Sequence, residues 1–152
     1  MCEYCGCQQL DVIGRLTDEH ERVRNLGRLL TDACESGDLA AARRLAGEMR
    51  RVLGPHTRVE EDGLFPELAA EFGEQLARLE ADHLVIDGVL LRLETAPPPD
   101  WPQQARTAIT LLFEHILKEQ DGVFPAALSV VSTAGWERVE GVRAALDGAA
   151  VT

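Results

Sequence analysis

The sequence predicts an all-α protein: an up-down-up-down four-helix bundle built from a duplicated helix pair and followed by a short C-terminal helix. Three observations lead there. The 152 residues include 21 Leu and 19 Ala against 4 Ile, with aromatics at only 5%, a mix that favours helix over sheet. Apolar residues recur at steps of three and four through four long segments, the pattern of a helix with one buried stripe. One eleven-residue stretch also occurs twice: positions 56–66 and 115–125 both carry His first, Glu fifth, then Asp-Gly and Phe-Pro at the same places.

Gly and Pro divide the chain into elements. A first helix is expected from about Gln9 to Glu35, broken at Ser36-Gly37-Asp38. Asp38, a favourable N-cap, starts a second, which Gly54-Pro55 should kink and Pro66 should stop after Phe65. A short helical turn covers Glu67 to Phe72. The third long helix spans about Glu74 to Glu94 and closes at Pro97-Pro98-Pro99. The fourth runs from about Pro102 to Phe124, stopped by Pro125. Ser132-Thr133 then caps a last amphipathic piece through Trp136, Val139, Val142 and Leu146, placed to cover one end of the bundle. Residues 1–9 stand apart as a Cys-rich arm, and 10–152 form the domain. At this size roughly two-thirds of the unfolded surface is buried on folding, enough for one core.

Charge and hydropathy exclude several functions. Fifteen Lys+Arg against 26 Asp+Glu leave a net charge of −11, which repels nucleic-acid phosphates and anionic membranes. No apolar run approaches the roughly 18 residues of a membrane span, and the N-terminus lacks the layout of a signal peptide. A cytoplasmic protein with no nucleic-acid or membrane partner is expected.

The inward stripes carry the chemistry. They read Ile13, Leu16, His20, Val23, Gly27, Leu30; then Leu45, Met49, Val52, His56, Val59; then Leu76, Leu79, His83, Ile86, Leu90, Leu93; then Ala108, Leu112, His115, Glu119. The chain has four histidines, one in the middle of each stripe. A single histidine there would read as a hydrogen-bonded core residue. Four buried imidazoles without a shared partner would cost several kcal/mol in unmet polar groups. Glu60 follows His56 by four residues and Glu119 follows His115 by four, so each pair stands on one helix face roughly 6 Å apart along the axis. A buried glutamate needs a cation, and a metal ion serves both residue types. His20 and His83 precede their partners by 36 and 32 residues, so the duplication predicts a pseudo-twofold bundle with ligands meeting on its axis. Such symmetry offers two metal positions, with Glu60 and Glu119 able to bridge them.

The arrangement His20, His56-xxx-Glu60, His83, His115-xxx-Glu119 resembles the hemerythrin-like family of HHE cation-binding domains, over roughly Leu10 to Pro125. The resemblance implies a non-haem di-iron centre, oxo- or carboxylate-bridged, with His20, His56, His83 and His115 as ligands and Glu60 and Glu119 as bridges. It implies redox chemistry on dioxygen, hydrogen peroxide or nitric oxide, as in a catalase- or peroxidase-like oxidoreductase served by an unidentified electron donor. A non-enzymatic oxygen, nitric oxide or iron sensor is the alternative, and zinc is the competing metal. Oxygen-carrying members place a fifth histidine four residues after the third. Here that position is Asp87. It reads as an extra oxygen ligand, an acceptor for an imidazole N–H, or a solvated carboxylate, and it weakens the reversible-carrier reading.

Glu61 has Gln120 as its counterpart and reads as surface charge, with a place guarding the approach to the metal as the other reading. Asp62 and Asp121 read as helix-end residues or partners of the ligands. Cys2, Cys5 and Cys7 offer three soft thiolates in six residues, suited to a redox pair or part of a secondary metal site. Cys34 reads as a small buried apolar residue, and Trp101 and Trp136 as packing.

Overall fold

The computed structural model describes the backbone of residues 7–151 and the side chains of residues 9–149. Helix α1 spans Cys7–Ser36. It ends where Gly37 takes φ of 70° and Asp38 N–H donates to Ala33 O at 2.9 Å. That left-handed residue with its six-to-one hydrogen bond is a Schellman stop, which only glycine adopts without strain. Asp38 then caps α2 (Leu39–Arg58), its Oδ1 accepting from Ala41 N–H at 3.1 Å. Helix α2 runs on through Pro55.

The two expected stops at Pro66 and Pro125 do not occur. After α2 the chain passes through a π-helical turn, Val59–Leu64, straight into α3 (Phe65–Thr95). Helix α4 (Trp101–Lys118) likewise passes through a π turn, Glu119–Val123, into α5 (Phe124–Val130). Phe65 N–H donates to Glu60 O and Phe124 N–H to Glu119 O, each five residues back. A proline inside a regular α-helix drives its ring into the carbonyl four residues earlier. The wider turn moves that carbonyl aside and leaves each proline at the first positions of the next helix, where its missing N–H costs little. The duplicated stretch is therefore duplicated in backbone as well as in sequence. The separate short turn expected before the third long helix is instead the first part of α3, which bends at Phe72 (φ −125°, ψ 20°). Val131 is extended, and α6 follows over Thr133–Val151.

Helices α1, α2, α3 and the α4 rod pack in a closed ring, each against its two neighbours, while α6 lies across the first π turn and α1. The histidine-bearing layer splits the core in two. On one side Val23, Leu30, Leu45, Met49, Leu90 and Leu112 pack together. On the other, Leu16, Val59, Phe65, Leu79 and Phe124 do so with Trp136 and Val139 of α6. Cys34 is buried in the first cluster, and Trp101 packs against it. Among the described residues no helix is long and apolar enough to cross a membrane.

Candidate metal centre

His20 on α1, His56 on α2, His83 on α3 and His115 on α4 meet in one layer with Glu60 and Glu119, which sit at the two π turns. The ligand atoms form two sets, His20, His56, Glu60 and Glu119, and then Glu60, His83, His115 and Glu119, each within 4.8 Å of one another. Both glutamates belong to both sets. His20 Nε2 lies 3.0 Å from Glu119 Oε1 and His56 Nε2 3.0 Å from Glu60 Oε1. His115 Nε2 is 3.2 Å from Glu119 Oε1, and His83 Nε2 is 3.0 Å from His115 Nε2. All four Nε2 atoms thus point inward.

The donors fit a cation. Glu60 and Glu119 are 0% exposed, and both oxygens of Glu60 and Oε2 of Glu119 have no aligned hydrogen-bond donor. A buried carboxylate with no donor is costly unless a positive charge faces it. In the metal-free chain the imidazoles of His56, His83 and His115 supply that charge. Burial by itself would lower the His56 imidazole, but the charge of Glu60 and the hydrogen bond to Glu19 outweigh it and hold it at about 10. Burial opposes His83 in the same way, yet contact with Glu60 and Glu61 holds it at about 9. His115 is also raised, with Glu119 outweighing its burial. Glu60 is held well below the carboxylate range, because His56 and its neighbours overcome the effect of burial.

Each Nδ1 faces an oxygen outside the layer. His20 pairs with Gln120 Oε1 at 3.2 Å, His56 with Glu19 Oε1 at 3.0 Å, His83 with Glu61 Oε2 at 2.6 Å and His115 with Asp82 Oδ2 at 3.1 Å. Such partners fix the tautomer, leave Nε2 free for a metal and raise its basicity. Glu61 is therefore a partner of His83 and not a surface charge. Sequence reasoning missed Glu19, Asp82 and Gln120 in this role, although each adjoins a ligand in the sequence. Glu19 is gripped in turn by Arg143 of α6.

Other expected participants lie elsewhere. Asp87 is not brought to the ligands: its Oδ1 accepts from Arg50 Nε at 3.0 Å, and its side chain is 59% exposed. Asp62 pairs with Arg58 at the surface, and Asp121 is exposed. Cys2 and Cys5 lie outside the described residues, as does the side chain of Cys7. A cavity of about 530 Å³ reaches the layer past the exposed Leu84 and Asp87, touching all four histidines, Glu61 and Glu119.

Residues 11–127 match the family profile of the hemerythrin HHE cation binding domain. No curated protein and no solved structure matches the chain.

Proposed function

The chain belongs to the hemerythrin HHE cation-binding family, and on that premise we propose that it is a non-haem di-iron protein that reacts with hydrogen peroxide, dioxygen or nitric oxide. One observation carries the reading: two histidine pairs share the same two fully buried glutamates, three of whose four oxygens have no hydrogen bond. In this reading His20 and His56 hold one ion, His83 and His115 the other, and Glu60 and Glu119 bridge them. Iron bound there supplies a one-electron couple at each position and Lewis acidity toward an oxygen-bearing ligand.

The chain's own groups do the rest. Two imidazoles and two shared carboxylates leave coordination open at each position, as non-haem iron chemistry requires. The four Nδ1 partners keep the rings from turning away. Apolar clusters pack on either side of the layer and hold the four helices around it. The cavity admits a small diatomic or peroxide ligand. An asymmetric carrier centre would need a fifth imidazole, and the chain has four. Peroxide disproportionation requires no outside reductant, since two peroxides give one dioxygen and two waters; dioxygen or nitric oxide chemistry calls for an electron donor. A cytoplasmic setting belongs to the same proposal, and the net charge of −11 supports the absence of nucleic-acid and anionic-membrane partners.

Metal analysis and an absorption spectrum of the purified protein test the metal. Irving–Williams order favours zinc over ferrous iron, and only iron gives near-ultraviolet oxo-bridge absorption. Oxygen evolution on adding peroxide to the iron-loaded protein tests the reaction. Reversible dioxygen binding with no peroxide consumption would overturn it in favour of a carrier or sensor.

A further inference from the structure

The two halves of the centre correspond residue by residue: Glu19 with Asp82, His20 with His83, His56 with His115, Glu60 with Glu119 and Glu61 with Gln120. Their outer partners do not balance. Around His20 and His56 stand the neutral amide of Gln120 and the carboxylate of Glu19. Arg143 neutralises that carboxylate with hydrogen bonds to both oxygens, at 3.0 and 2.7 Å. Around His83 and His115 stand two carboxylates, Glu61 at 2.6 Å and Asp82 at 3.1 Å. Among the described residues no arginine or lysine forms an ion pair with either of them. The formal charge beyond the ligands thus cancels on one side and amounts to two negative charges on the other.

A carboxylate accepting an imidazole N–H makes the opposite nitrogen a stronger donor than an amide does, and uncompensated anions favour the more highly charged ion. We propose that Glu61 sets the two metal positions apart, so that the His83–His115 position takes its ion first and favours the ferric state more than the His20–His56 position. The proposal rests on the two-metal reading above. It also gives the asymmetry a direction. Glu61 and His83 both line the cavity, and the His83 side chain, at 9% exposure, is the most open of the four imidazoles. The cavity touches all four imidazoles, and the most open of them belongs to the position the chain holds more tightly.

The test titrates the metal-free full chain with Co²⁺, following its visible absorption together with bound cobalt per chain. The wild type should load in two steps. Glu61→Gln, which copies the Gln120 arrangement, should weaken the first step by about 10- to 100-fold and draw the steps together. Gln120→Glu, which copies the other side, should tighten the second. Two ions bound with the same separation of steps in all three proteins would overturn the role of Glu61 and leave the two-metal reading intact. Fewer than two ions in the wild type would overturn that reading and the proposal together.

Discussion

Arg143 holds Glu19 with two hydrogen bonds, Nη1 to Oε2 at 3.0 Å and Nη2 to Oε1 at 2.7 Å, while the same Oε1 accepts from His56 Nδ1 at 3.0 Å. Helix α6 therefore reaches the histidine layer through the Glu19 carboxylate as well as by packing on the first π turn. The family match ends at residue 127, before α6 begins. That helix covers one end of the bundle and also fixes the orientation of the His56 imidazole.

Arg143→Ala should lower stability by about 1.5–3 kcal/mol, the range for a hydrogen-bonded charge kept largely from solvent. Both partners are mostly shielded, at 11% and 14% side-chain exposure. The Arg15–Asp147 pair is half-exposed on both sides, so Arg15→Ala should change little. Paired thermal melts of the two variants give the comparison, and equal losses would contradict it.

Glu60→Ala should empty both metal positions together, because Glu60 belongs to both ligand sets. Asp87→Ala should keep two ions per chain, since Asp87 pairs with Arg50 away from the layer. Elemental analysis of both proteins reads the outcome. A Glu60→Ala chain that retains two ions would remove the bridging assignment.

Metal loading should release protons near neutral pH. His56 at about 10 and His83 at about 9 are protonated there in the metal-free chain, and a ligating Nε2 must be neutral. Apparent affinity should therefore rise with pH until these groups have titrated. Calorimetry in buffers of different ionisation enthalpy counts the protons, and a heat independent of buffer would show that none leave. The sign for stability follows as well. Both groups are raised above 6.5, so their contribution to the metal-free fold is complete below that pH and is lost as pH climbs through about 9 to 10.

Gly63 and Gly122 occupy equivalent places in the two π turns, yet a Cβ on Gly63 would lie 3.3 Å from Val139 Cα, whereas one on Gly122 meets nothing within 4 Å. Gly63→Ala should thus push α6 outward and melt at a lower temperature than the wild type. Gly122→Ala should melt at or above it, gaining up to about 1 kcal/mol of helix propensity. Equal melting temperatures would mean that α6 yields without cost.

What the sequence determined by itself was everything written at helical spacing. One histidine per stripe, the His-xxx-Glu pairs and the Gly37-Asp38 break follow from contacts within a turn or two of one helix, and each stands where its spacing placed it. Tertiary structure decided the rest. Pro66 and Pro125 look like stops because proline conflicts with an α-turn; the folded bundle resolves that conflict with a π turn, which apolar spacing and proline placement do not reveal. The fate of the outer carboxylates was equally hidden. Glu61 and Asp87 both lie near site histidines in the sequence, but the packing of the first π turn on α3 turns Glu61 to His83, and that of α2 on α3 gives Asp87 to Arg50. Glu19 finds His56 across 37 residues and Arg143 across 124. Spacing along one helix fixes which face a side chain occupies; only the rotation and closeness of the neighbouring helices fix which partner it meets.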